Sequence, residues 1–136
     1  KSDLQLGLGQ RDGTFTGHLH VLGDLYKTDV IDLARTIGLP PELVDGVYSR
    51  NLKYRQTDEE DLGAVWSKID EILHQLEDKV DHDAMIEKGM DALLVHKLIR
   101  LVHENEALTK SIPTVHVGRI SESIKKAQKA EAESLS

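Results

Sequence analysis

Gly23-Asp24-Leu25-Tyr26-Lys27-Thr28-Asp29-Val30 is the stretch on which the reading of this chain turns. A glycine followed by aspartate signals a turn, and aspartate is a residue type that caps helix N-termini. From there Val30, Leu33, Ala34 and Ile37 recur at helical spacing until Gly38, with Pro40 just beyond. The pattern predicts a helix over 25–37, stopped by glycine and proline, with Lys27 in its opening turn. A second stretch, Gln56-Thr57-Asp58-Glu59-Glu60-Asp61-Leu62-Gly63, has the form of a capping box. The Thr57 hydroxyl would accept from the third amide while Glu60 reaches back, so another helix starts there.

Outward from these two stretches the chain is read mostly as helix. Pro41 suits the first position of a short helix through Val44, ended by Gly46, and residues 47–56 lack periodicity and read as loop. Val65, Ile69, Ile72, Leu73 and Leu76 mark a strong amphipathic helix with Trp66 on its flank. Asp81 and Asp83 open a short helix to Lys88, bounded by Gly89, and a longer one runs from Asp91 to about Glu106. The apolar face of that last helix holds Leu94, Val95, Leu98, Ile99, Leu101 and Val102, and its polar face holds His96, Lys97, Arg100, His103 and Glu104.

The ends are less regular. Leu4, Leu6 and Leu8 alternate as in a strand, yet Leu4 and Leu8 also share a helix face, and periodicity leaves the choice open. Asp12-Gly13 is a turn signal, His18–Leu22 alternates as a short extended piece, and Val115 and Val117 alternate after Pro113. Ser121–Ser136 is an Ala/Lys/Glu/Ser tail with little to bury, read as solvated helix or disorder. The sum is a mainly α chain of five or six helices with room for one short strand, and no βαβ series.

Bulk properties bound the rest. At 136 residues there is room for one domain. A formal charge of -7 argues against general affinity for nucleic acid, which needs clustered Lys and Arg. No apolar run approaches the ~18 residues of a membrane span, so a soluble, cytoplasmic protein is expected. The absence of cysteine removes disulfides, thiolate metal sites and a cysteine nucleophile. Of the seven histidines, His18 and His20 could share a strand face and His96 and His103 a helix face. Neither pair has a third ligand at metal-site spacing, so solvated or hydrogen-bonded histidines are expected. The chain starts at Lys1 rather than methionine, which suits a trimmed or partial product.

Several stretches in unbroken order resemble the C-terminal half of ammonia-dependent NAD synthetases. That family reads N-K-S-E, a G-D-G turn, G-D-L-Y-K-T-x-V-x-x-L-A-x-x-L-G-x-P, P-S-A-D-L and Q-x-D-E-x-x-L-G. Here the counterparts are Lys1-Ser2-Asp3, Asp12-Gly13, Gly23 through Pro40, Ser49-Arg50-Asn51-Leu52 and Gln56 through Gly63. The resemblance covers roughly residues 1–115. It implies the C-terminal part of an α/β adenine-nucleotide alpha-hydrolase-like (Rossmann-like) fold, packed beside a parallel sheet. Residues 1–118 would belong to the NAD synthetase-like domain and 119–136 to the polar tail.

The activity so implied is a ligase reaction, with deamido-NAD and ammonia as substrates and ATP and Mg2+ required. The nicotinate carboxylate is activated as an adenylate, pyrophosphate leaves, and ammonia then displaces AMP. By resemblance, Lys27 contacts the ATP phosphates, and its place in a first helical turn would add its charge to the positive end of the dipole. Ser49 matches the serine or threonine that serves the phosphate or adenylate. Gln56, Asp58 and Glu59 fall in the loop that orders over substrate, and Asp3 stands where the family has a glutamate near magnesium. A homodimer is implied as well.

The departures bear mostly on the dinucleotide. His18 stands where the family carries an aspartate that helps hold it, Val21 replaces a proline, and Tyr48-Ser49-Arg50-Asn51 departs from P-S-A-D. The family's H-K-R is reduced to Ala107-Leu108-Thr109-Lys110, with Lys110 as the substitute. Nothing here matches the S-G-G-x-D-S pyrophosphate loop, which lies upstream in the family, so the resemblance implies part of an enzyme. Two alternatives stay open: a related ATP-dependent amidating enzyme with another carboxylate substrate, and a non-catalytic helical interaction module resting on the apolar faces at 65–76 and 94–102.

Overall fold

The longest two helices described, α5 (Trp66–Glu77) and α7 (Ala92–Glu104), pack against each other. The architecture comes from a computed structural model, in which residues 1–8, 18–45, 57–111 and 113–117 are described. The other helices are α1 (Ser2–Gln5), α2 (Lys27–Thr36), α3 (Pro41–Val44), α4 (Asp58–Leu62), α6 (His82–Glu87) and α8 (Glu106–Ser111). Among the described residues the only β contact is an isolated parallel bridge between His20 and Thr114. There His20 N donates to Pro113 O and Val115 N to His20 O. The described residues are mainly helical, as their periodicity predicts.

The core follows from the apolar stripes. Ile69 and Leu73 of α5 and Val95 and Leu98 of α7 are almost fully buried together with Met85 of α6. Each such side chain contributes about 1.5–3 kcal/mol relative to leaving it exposed. Helix α2 lies against α5 and α3, α6 against α7, and α8 against both α1 and α7. Among the described residues no helix is long and apolar enough to cross a membrane.

The ambiguous start resolves as one helical turn. Helix α1 ends at Gln5, and Gly7 adopts φ +67, a left-handed conformation that glycine tolerates best. The turn lets Leu4, Leu6 and Leu8 all be buried, so their alternation marked a folded-back segment and not a strand.

Other boundaries shift for identifiable reasons. The expected helix over 25–37 spans Lys27–Thr36, and Asp24 does not cap it. Asp24 instead accepts from Val117 N at 2.9 Å, while Asp29 Oδ2 accepts from Tyr26 N at 3.2 Å. The helix expected to about Glu106 ends at Glu104, and α8 follows directly as a separate element. His18–Leu22 contributes the single bridge residue His20 and then turns. The Asp12-Gly13 turn, the 47–56 loop with Ser49, Gln56 and the 119–136 tail all lie outside the described residues.

Candidate functional site

The two residues expected to meet phosphate and metal come from different helices and meet in the fold. Lys27 Nζ donates to Asp3 Oδ2 at 3.2 Å and lies 5.3 Å from the centroid of the Trp66 ring. An ammonium between a carboxylate and an indole face is held by charge and by the ring quadrupole together. Both charged side chains keep some solvent exposure, 20% for Lys27 and 37% for Asp3. The pair is part-buried yet reachable from solvent.

The opening turn of α2 is held from elsewhere in the chain. Ser2 Oγ accepts from Lys27 N at 2.8 Å and donates to Asp70 Oδ1 at 2.6 Å. Asp70 Oδ2 accepts from both Thr28 N and Thr28 Oγ1 at 2.8 Å. The first amides of α2 are thus bonded inside the chain, with a carboxylate set against the positive end of the helix. This corrects the expectation that the dipole adds to the charge of Lys27: Asp70 offsets it there, and Lys27 acts through its side chain. Burial pushes the Asp70 carboxyl above its ordinary range, against the pull of its three donors.

Tyr26, immediately before this turn, is buried with its ring tilted against that of His74, and its hydroxyl donates to Glu77 Oε2 at 2.8 Å. Burial pushes the phenol well above its ordinary value, so it stays protonated and donates. Lys1 Nζ reaches Glu77 Oε1 at 2.5 Å. These bonds tie the far end of α5 to the same junction of α1 and α2.

Two concavities flank this junction. The larger, about 1120 Å3, is lined by Thr28, Arg35, Thr57, Glu59, Trp66 and Ser67 among others. The smaller, about 200 Å3, is lined by Ser2, Asp3, Leu25 and Lys27 among others. Lys27 and Asp3 line only the smaller one, so volume alone does not mark the chemistry.

The remaining expected residues divide. The capping box closes as expected, with Glu60 N donating to Thr57 Oγ1 and Thr57 N to Glu60 Oε2. Asp58 is buried in the first turn of α4, and Glu59 Oε1 accepts from Trp66 N at 2.8 Å, capping α5. Glu59 thus has a structural use and also lines the larger cleft. Lys110 is exposed and paired with Glu106 within α8, and His18 is exposed before the bridge. Neither is brought to the Lys27–Asp3 pair in the contacts described. One grouping of three metal-ligating residues occurs among the described residues, the exposed Asp81, His82 and Asp83, and it contains none of the expected ligands.

Comparison with known proteins gives the family. The family model described as NAD synthase matches residues 1–111. The chain belongs to the NAD synthase family. It is 36% identical over 107 residues to the NH(3)-dependent NAD(+) synthetase of Chlorobaculum tepidum, covering 78% of this chain and 39% of that protein. It is 34% identical over 114 residues to the Methanosarcina mazei protein of the same name, covering 83% of this chain and 44% of that protein. For the Helicobacter pylori (strain P12) synthetase the figures are 32% over 120 residues, 85% and 46%. The chain spans less than half the length of these relatives.

Within this NAD synthase family member, three groups at the junction escaped sequence reasoning: Ser2, Thr28 and Asp70. A signal existed for the last. Asp70 lies four residues after Trp66 and three before Leu73, within the apolar stripe of α5, where a carboxylate needs partners. The partners themselves, at sequence separations of 68 and 42 residues, left no local mark.

Proposed function

We propose that this chain supplies the Lys27–Asp3 part of the site of an ATP-dependent ligase that amidates deamido-NAD to NAD with ammonia. The observation carrying this reading is the 3.2 Å bond between Lys27 and Asp3, two family-matched positions on separate helices. In the reaction the nicotinate carboxylate oxygen attacks the α-phosphorus of ATP, and the bond to pyrophosphate breaks. Ammonia then adds to the acyl carbon, AMP leaves and a proton is lost. Lys27 neutralises phosphate charge as pyrophosphate departs.

Asp3 suits a hard cation. Its Oδ1 is buried without a hydrogen-bond partner, an oxygen available to a ligand. Bound Mg2+ supplies charge neutralisation on the phosphates. Asp3 would hold the cation, and Lys27, on the neighbouring helix, would carry the charge that faces phosphate. In this reading Ser49 serves the phosphate or adenylate, Gln56, Asp58 and Glu59 belong to the loop that orders over substrate, and His18 and Lys110 lie toward the dinucleotide.

The wider setting is a Rossmann-like α/β domain to which residues 1–118 belong, followed by the 119–136 tail, in a cytoplasmic homodimer that binds neither nucleic acid nor membrane. Family membership supports this reading over another acceptor carboxylate or a non-catalytic helical module.

The protein encoded by the full reading frame around this chain tests the proposal. Given deamido-NAD, ATP, Mg2+ and ammonium, it should form NAD, AMP and pyrophosphate in equal amounts. Absence of NAD with ATP left intact overturns it.

A further inference from the structure

Asp70 has no role in the chemistry above, yet both halves of the Lys27–Asp3 pair trace back to it. It sits in α5 at 2% exposure, and its oxygens serve two different elements. Oδ1 accepts from Ser2 Oγ, one residue before Asp3, and Oδ2 accepts from the amide and hydroxyl of Thr28, one residue after Lys27. Ser2 Oγ closes the loop by accepting from the amide of Lys27 itself. One carboxylate therefore fixes α1 and α2 relative to each other at the point from which both charged side chains depart.

Stability alone is a poor reason for this arrangement. Burying a carboxylate costs free energy that its partners at best offset, and an apolar residue would extend the stripe of α5 at no such cost. What the carboxylate adds is geometry, because three directed bonds leave little freedom to the α1–α2 junction.

We propose that Asp70 is a positioning residue that sets the Lys27 ammonium and the Asp3 carboxylate for phosphate binding. This rests on the ligase reading for its purpose, though not for its geometry. A misplaced ammonium weakens binding of ATP phosphates, whereas a purely structural Asp70 would lower thermal stability and leave the affinity of the folded fraction unchanged.

The test is a double-mutant cycle on the protein from the full reading frame, reading the Kd for ATP of wild type, Asp70→Asn, Lys27→Ala and the double variant. Asp70→Asn should weaken ATP at least tenfold, and the double variant should bind no more than twofold weaker than Lys27→Ala. Unchanged affinity in Asp70→Asn, or fully additive losses, overturns the proposal. If Asp70→Asn does not fold, Ser2→Ala removes the link to the Lys27 amide while leaving Asp70 and Thr28 in place. It should weaken ATP at least threefold, and unchanged affinity again overturns the proposal.

A second readout is independent of ATP. After reductive 13C-methylation, the Lys27 methyl resonance should move to the shift of exposed lysines in Asp70→Asn or Ser2→Ala, with lysines away from the α1–α2 junction, such as Lys97 and Lys110, unmoved. An unmoved Lys27 resonance overturns positioning. A wild type that binds no ATP overturns the ligase reading, and the resonance still decides positioning.

Discussion

Asp70 Oδ2 accepts from the amide and the hydroxyl of Thr28 at the same distance, 2.8 Å, so the N-terminus of α2 is capped by a residue of α5. A cap ordinarily comes from the residue before the helix, and its loss costs the helix about 1 kcal/mol. Here the cap also joins two helices, so the packing of α5 adds to the local Tyr26–Asp29 bond in holding the start of α2.

Lys27→Ala in the protein from the full reading frame should lower NAD formation by about a hundredfold or more, the scale of losing a charged transition-state contact. The ion pair with Asp3 is only part-buried, so the variant should still fold, with a thermal midpoint lowered far less than activity. Steady-state NAD formation beside a thermal melt checks both, and wild-type turnover would remove Lys27 from the site.

Asp70 also makes a pH prediction. Its folded value lies above the ordinary aspartate value because of burial. Between the ordinary value, about 3.9, and the folded one, the native chain binds a proton that the unfolded chain lacks, so stability falls as pH rises through that window. Asp70→Asn has no such proton. The stability difference between wild type and variant should shift in favour of wild type as pH is lowered from 7 to 4, measured by urea unfolding. A constant difference contradicts the raised value.

Gly7→Ala should destabilise the chain. Gly7 has φ +67, and an added Cβ would stand 2.2 Å from Asn105 Oδ1. The left-handed conformation alone costs about 1–2 kcal/mol for a non-glycine residue. Asn105 Nδ2 donates to Leu101 O at 2.7 Å, so displacing it also loosens the end of α7. A melt of the variant with an unchanged midpoint would refute this.

Ile69→Ala should cost about 2–5 kcal/mol, the range for truncating a buried aliphatic. Ile69 is fully buried in the cluster formed by α5 and α7. Denaturant unfolding should show a lower midpoint with the slope m preserved; a loss below 1 kcal/mol would mean the site can collapse.

How legible each feature was depended on how far its cause lay along the chain. The capping box of α4 closes between Thr57 and Glu60, three residues apart, and was readable as written. Asp91 likewise caps α7 through Leu94 N. Asp24 carried the same kind of signal and was misleading, because Ser2 and Asp70, 25 and 42 residues away, hold the start of α2. The family match at Lys27 and Asp3 identified the residues without indicating that they touch.

Taken alone, the amino-acid sequence determined the helical class, most helix positions and the family, since these rest on periodicity, local caps and motif order. The tertiary structure decided where α2 begins, that the leucines of residues 4–8 fold into one turn, and that Lys27 meets Asp3 beneath a junction tied to Asp70. The physical reason is that a buried carboxylate must find donors wherever the packed chain brings them, and three of them came from Ser2 and Thr28 on two other helices.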